Sequence, residues 1–257
     1  MKFYLELTIF TLLSLVTLAI FIPLPLDLLV SSAFFDGENF SLGSLPVWEF
    51  LYWLMTPVTL LMFFGSLAVI IYASVKKQRL LRGYAAVVFL TLLLGPGIIV
   101  NGIFKDHWQR PRPVQTEQFG GSLKYVPPMV VGDVDGPTAR SFPSGHSSVA
   151  FSLIAIWFLL RRRHPLWANR MLPFTLVFGL YVGMARMVAG GHYLSDVLFS
   201  AYFTFLAASL SYHVLIGIPR LEDEHLAPER VIHLPFGFRG NWEEVHLWAM
   251  RQWPQRS

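Results

Sequence analysis

The chain has 257 residues, of which 54% are hydrophobic and only 14% charged, with a mean hydropathy of +0.51. That balance excludes an ordinary soluble domain and argues for a protein whose solvent is lipid. The formal net charge is +4, and the lack of any cysteine excludes disulfides, thiolate metal sites and a cysteine nucleophile while leaving the compartment open.

In chain order, apolar stretches occur at about 7–22, 47–74, 83–104, 147–160, 171–189 and 197–218. Most approach the roughly 20 residues that a helix needs to cross hydrocarbon. The pattern predicts an all-α, polytopic membrane bundle of six transmembrane helices. The fourth stretch is short, and reaches full length only if its start at His146 and Ser147 is helical. The first could instead be a signal peptide with a small-residue site near Ser31-Ser32-Ala33, but its apolar run exceeds the usual length for such signals. Without internal repeats, low-complexity tracts or a second soluble domain, the expected organisation is a membrane domain over 1–220 and a tail over 221–257.

Lys and Arg set the expected orientation, because short cytoplasmic loops retain positive charge. Lys76, Lys77, Arg79 and Arg82 follow the second stretch, and Arg161, Arg162, Arg163 and Arg170 follow the fourth. The segment 23–46 has no Lys or Arg and holds Asp27, Asp36 and Glu38. Both termini are therefore expected in the cytoplasm. The loop 105–145 strains the rule, since it carries Lys105, Arg110, Arg112, Lys124 and Arg140 although it should lie outside.

Three short blocks sit at the mouths of these stretches: Lys105 with Arg112-Pro113, then Pro143-Ser144-Gly145-His146, then Arg186 with His192 and Asp196. The predicted topology puts all three on the outer membrane face. Phosphoryl transfer needs a nucleophile, an acid for the leaving oxygen, and cations or N–H donors around the equatorial oxygens. His192 and Asp196 are four apart, a spacing that on a helix shares one face, so the carboxylate can hold Nδ1–H and leave Nε2 to attack. Gly190-Gly191 reads as a turn that lets Arg186 fold back. His146 follows Ser144-Gly145 at a helix start, where unpaired N–H groups favour an anion. Lys105, Arg112 and Arg186 read as a phosphate clamp.

Written as K-x6-R-P, P-S-G-H and R-x5-H-x3-D, the ordered set resembles the signature of the type 2 phosphatidic acid phosphatase (PAP2) superfamily of membrane lipid phosphatases, over about 80–218. The resemblance implies a phosphohistidine on His192 oriented by Asp196, His146 as general acid and then general base, and phosphate binding by Lys105, Arg112, Ser144, Gly145 and Arg186. It implies no metal and no other cofactor, and no cluster with metal-ligand spacing stands in the sequence. The expected partners are a lipid phosphate and the bilayer, with no nucleic acid. The expected place is a bacterial inner membrane with the site on the periplasmic side. Candidate substrates are lipid A, undecaprenyl diphosphate, phosphatidylglycerophosphate and phosphatidic acid; Lys105 to Gly121 is similar to bacterial members acting on lipid A or polyprenyl phosphates.

Two departures stand out. Ala185 occupies the place where the family usually has Ser, and Arg110 is an extra cation that could read a second phosphate, a sugar or solvent. His107, His164, His213, His225, His233 and His246 read as capping or hydrogen-bonding residues. A phosphotransferase on the same scaffold is the nearest alternative. The soluble haloperoxidase relatives fit poorly with six spans, and a transporter fits poorly with charges at span ends. In the tail, Trp242, Val245, Ala249 and Trp253 share a face if 242–253 is helical, which suggests an interfacial helix, with a partly disordered tail as the competing reading.

Overall fold

The computed structural model describes residues 2–133, 139–226, 232–233 and 239–240. Eight helices carry the fold of the described residues: α1 (Lys2–Phe21), α2 (Leu26–Ser32), α3 (Pro46–Val75), α4 (Arg79–Phe104), α5 (Gly145–Leu160), α6 (Pro165–Val188), α7 (Leu194–Leu215) and α8 (Ile218–Leu226). Five of them, α1, α3, α4, α6 and α7, are long and apolar enough to cross a membrane, and α5 is a shorter apolar helix. These six match the expected apolar stretches to within a few residues at most boundaries. Helices suit such a sequence because a backbone in hydrocarbon must satisfy its own hydrogen bonds. Pro46 and Pro165 each stand at a helix start, where the missing N–H costs nothing.

The short α5 begins at Gly145, so the polar run Gly145-His146-Ser147-Ser148 is helical. It spans about 24 Å at 1.5 Å per residue. A turn at Ser152 and Leu153 divides it, and the Ser152 hydroxyl donates to the Ser148 carbonyl at 2.8 Å. The second half of α4, Leu93–Phe104, is π-helical around Pro96. Asn101 Nδ2 donates to the Pro96 carbonyl at 2.6 Å within this wider coil. Wide turns of this kind recur at functional sites, and this one ends at Lys105.

Lipid offers little hydrophobic reward for bringing helices together, so close packing must hold them. A Cβ on Gly183 would lie 2.4 Å from Val197, and one on Gly179 would lie 2.2 Å from Phe151, so α6 presses directly on α7 and α5. Buried clusters fill the space among α4, α5 and α7, one around Phe158, Ala208 and Tyr212 and another around Phe142, Phe199 and Phe203. The outer surfaces of α1 and α3 stay apolar: Leu61 is 74% exposed and Phe64 59%. Such a belt would be a liability in water, and it is what a lipid-facing surface requires.

The ends of the helices sort into two groups. The ends of α4 and α6 and the starts of α3, α5 and α7 converge with α2, while Lys2, Arg161, His213 and α8 meet at the other end. The three blocks therefore share one face. Helix α8 crosses the expected boundary at 220, with Ile218 and Leu221 packed over Gly83 of α4 and Glu222 fully buried. A two-residue antiparallel pairing joins Ile232–His233 to Arg239–Gly240. The suggested interfacial helix over 242–253 lies outside the described residues.

Candidate active site

Three helix termini and one loop deliver the side chains. Helix α6 ends at a left-handed Gly190 with φ of +62°, where the Phe40 ring lies 2.5 Å from the place of any Cβ. Gly191 N–H closes the turn on the Arg186 carbonyl at 2.9 Å. A Cβ on Gly191 would meet an Arg186 guanidinium nitrogen at 2.4 Å, so the arginine folds back over bare backbone, as the glycine pair predicts.

His192 follows in extended chain and is 2% exposed. The sequence reading put it on one helical face with Asp196, but α7 starts only at Leu194, so the pair meets differently. Asp196 is the third residue of α7, and its carboxylate bends back over the helix start to accept the Tyr193 N–H at 2.8 Å. There Oδ2 also faces His192 Nδ1 at 3.4 Å and accepts the Ser141 hydroxyl at 2.6 Å. Catalytic hydrogen bonds are often this long before substrate binds. Burial pushes the His192 imidazole down to about 4, with Arg186 and Lys105 adding to it against the pull of Asp196. At neutral pH the ring is uncharged, with Nε2 on the side away from Asp196.

Cations gather around it. Burial first, then the like charges of Arg112, Arg140 and Arg186, push the Lys105 ammonium down to about 8 despite Asp196. Lys105 Nζ lies 3.1 Å from the place of a Cβ on Gly145 and Asn101 Oδ1 3.5 Å from it, so the glycine lets both approach the start of α5. The Nε–H groups of Arg112 and Arg186 are buried without an acceptor among the described residues. Concentrated positive charge and unspent donors form a place for an anion.

His146, half-buried in the first turn of α5, stacks on Tyr52 of α3 with ring centroids 4.5 Å apart and 26° between planes. Arg186 sits over the same Tyr52 ring, with its guanidinium carbon 4.8 Å from the centroid. Tyr52 thus ties the second block to the third.

Ser144, expected at the phosphate, is fully buried; its N–H donates to the Asp196 carbonyl at 3.2 Å, and its hydroxyl pairs with Ser147 at 2.8 Å. It anchors the start of α5 to α7. Arg110 was assigned to solvent, a sugar or a second phosphate, yet it is 0% exposed. Its Nε donates to the Val126 carbonyl at 2.8 Å, one terminal nitrogen to Ser195 at 2.8 Å and to Asp196, and the other to Asp27 at 2.7 Å and Tyr125 at 3.4 Å. All five donors are engaged, so none remains for a ligand. Burial works against the charge, but Asp196 and Asp27 outweigh it and hold the guanidinium above its ordinary pKa. Ala185, in place of the usual Ser, is buried behind Arg186 in sequence and packed.

Sequence reasoning missed Asp27, Tyr52, Asn101 and Ser141. Asp27 carried a signal, as a lone carboxylate within an apolar run must find a partner. Tyr52, one aromatic among several near an interface, carried none. Among the described residues no group of three or more His, Cys, Asp or Glu is arranged to hold a metal ion.

The model of the PAP2 superfamily matches residues 81–218. The chain is 38% identical over 126 residues to a lipid A 4'-phosphatase of Francisella tularensis subsp. novicida, covering 48% of this chain and 54% of the relative. It is 37% identical over 108 residues to a lipid A 4'-phosphatase of Rhizobium etli, covering 41% and 40%, and 27% identical over 164 residues to a lipid A 1-phosphatase of the same organism, covering 61% and 64%. The match thus spans about half the length of the first of these relatives. No solved structure matches.

Proposed function

This chain belongs to the PAP2 superfamily, and from that premise we propose that it is an integral membrane phosphatase that releases phosphate from a lipid head group through His192. The observation that carries the reading is a neutral, buried imidazole backed by Asp196 at 3.4 Å on one side and crowded by Lys105 and Arg186. That arrangement suits attack on a phosphate whose negative charge the cations hold.

In the proposed reaction a phosphate monoanion hands its proton to His146 on binding; the Nε2 lone pair of His192 then forms the N–P bond as the bond from phosphorus to the lipid oxygen breaks, and His146 gives that proton to the lipid oxygen. Nδ1 keeps its proton, and Asp196 stabilises the resulting imidazolium. His146, now neutral, takes a proton from water; the water oxygen bonds to phosphorus, the N–P bond breaks, and its pair returns to Nε2. Lys105, Arg112, Arg186 and the Gly145 N–H hold the equatorial oxygens, where charge is spread in the transition state. Tyr52 keeps His146 beside Arg186 by stacking.

The lipid is inferred from position and likeness. A site at the ends of apolar helices fits a head group whose tails stay in hydrocarbon. The relatives' names favour a phosphate of lipid A, the 4'-phosphate ahead of the 1-phosphate because the 4'-phosphatases share 37–38% identity and the 1-phosphatase 27%. Charge asymmetry supports a bacterial inner membrane with the site on the outer face and the Arg161 loop and the N-terminus in the cytoplasm.

The test is phosphate release by the purified chain in detergent from lipid A bisphosphate, its two monophosphates, undecaprenyl diphosphate, phosphatidylglycerophosphate and phosphatidic acid. Release from the 4'-monophosphate with the 1-monophosphate untouched is the expected result. Equal turnover of phosphatidic acid would remove the lipid A assignment, and a newly phosphorylated second lipid in place of inorganic phosphate would mark a transferase.

A further inference from the structure

Asp27 lies 54 residues before the family match begins, and it is as deeply buried as the site it touches. Its Oδ1 accepts the Ser195 N–H at 2.9 Å, and its Oδ2 accepts the Ser195 hydroxyl at 2.5 Å, Arg110 at 2.7 Å and the Tyr125 hydroxyl at 3.2 Å. Arg110 thus stands between two carboxylates, Asp27 on one terminal nitrogen and Asp196 on the other, and all three side chains are 0% exposed. The rings of Tyr125 and Tyr193 flank the guanidinium, the latter 4.5 Å away.

Charge counting gives this arrangement a meaning beyond packing. A lone Arg110 against Asp196 would neutralise the carboxylate that must stabilise a cationic His192. With Asp27 on its far side, Arg110 is already matched, and the sealed group keeps one net negative charge, at the place where His192 becomes positive on taking the phosphoryl group. In a site this dry, opposite charges act strongly, so where that charge resides matters. The structure assigns Asp27 as a positioning residue for the nucleophile: it balances Arg110 so that the charge of Asp196 remains available to His192. The same carboxylate also caps the start of α7, which fixes the backbone from which Asp196 reaches back. The inference rests on the phosphohistidine reading above and adds a residue from outside the matched region.

The experiment uses the full chain in detergent with an aryl phosphate, measuring kcat, KM, the burst of phosphoenzyme in rapid-quench, and inhibition by inorganic phosphate. Asp27→Asn should lower kcat and the burst rate by about 30- to 100-fold, the usual scale for a residue acting through another, with KM and the phosphate inhibition constant within about twofold. Asp27→Asn combined with Arg110→Gln should be faster than Asp27→Asn alone by at least about fivefold, because the second change frees Asp196 again, whereas two merely structural lesions would add. A kcat for Asp27→Asn within about threefold of the parent, or a double variant slower than the single, would overturn the inference. Should Asp27→Asn fail to purify in monodisperse form, the double variant decides alone: kcat within about 30-fold of the parent supports the balance of charge, and a greater loss overturns it. His192→Ala is run beside them. Turnover by that variant would sink the phosphohistidine reading and this inference together; an inactive His192→Ala beside an unimpaired Asp27→Asn would sink this inference alone.

Discussion

At the end of the bundle away from His192, Arg161 meets Glu6 at 2.6 Å, and Arg162 meets Glu222 at 3.0 Å and Asp223 at 2.5 Å. At the His192 end, burial first and then the like charges of neighbouring arginines, Arg112 and Arg186 among them, push the Lys105 ammonium down to about 8. Both ends are rich in basic residues, consecutive at Arg161-Arg162-Arg163 and scattered along the chain at the other, and they differ in what the charge is spent on. Paired arginines tie α1, α5 and α8 together. Crowded cations raise the free energy of the empty site and lower that of a bound phosphate, which is how a fold stores affinity for an anion. Arg110 shows that the distinction follows partners and not position: it lies two residues from Arg112, yet its donors are spent on Asp27, Asp196 and the Val126 carbonyl.

The largest expected effect breaks the chemistry at the crowded end. His192→Ala should cut turnover by at least about 10⁴-fold, since members of a catalytic unit fail together, and should leave no acid-labile phosphoenzyme on rapid quench. An acid-labile phosphoenzyme in that variant would remove His192 from the nucleophile's role. His146→Ala comes next. Removing the leaving-group acid should slow phosphoenzyme formation from a lipid phosphate by about 10²- to 10³-fold, and much less with an aryl phosphate, whose leaving oxygen needs no proton. Equal losses on the two substrates would argue that His146 acts through Tyr52 and Arg186 and not on the leaving oxygen.

A milder test sharpens the comparison by titrating one crowded cation. The pKa of Lys105 is lowered, so its charge is fully present below about 8 and disappears as pH rises through that value. With an aryl phosphate, kcat/KM should therefore fall on the alkaline side near pH 8, while His192 stays neutral and competent down to about pH 4. Lys105→Arg should move the alkaline limb upward, because a guanidinium keeps its proton there. A limb that stays in place would assign it to another group.

How much of this was legible beforehand differs between fold and site. The long apolar runs give the six helices almost directly, because lipid forces the backbone into helices and the runs have the right length. The ends of α5 were less plain, as a polar start is helical only through its tie to α7 by the Ser144 N–H and the Ser200 hydroxyl. In the site, spacing singled out His146, His192, Asp196, Lys105, Arg112 and Arg186 as candidates that the fold brings to one end of the bundle, but misjudged how His192 and Asp196 meet, since a four-residue gap is read equally well as one helical face or as a cap reaching back over a helix start. Arg110 was left between a second phosphate, a sugar and solvent, and Asp27 counted only toward the acidic balance of 23–46, because periodicity cannot show that residues 83 positions apart share a buried bond. Tyr52 needed the packing of α3 on α5, which no local pattern encodes.

The smallest expected effect lies at the paired end and tests the other half of the comparison. Glu222 is fully buried, accepts the Tyr84 hydroxyl at 2.7 Å, and sits 3.0 Å from Arg162. Glu222→Gln keeps the shape and the Tyr84 bond and removes the charge. Arg162 retains Asp223 and is one-third exposed, so water screens part of the loss. The cost should be about 1–3 kcal/mol, well short of stranding a sealed charge. It should be read as a lower melting temperature in detergent, with kcat/KM for the aryl phosphate unchanged within about twofold, because Glu222 lies at the far end from every group that meets the phosphate. A matching loss of kcat/KM at full stability would mean that the paired arginines communicate with the site, and the division of labour between the two ends of the bundle would fall.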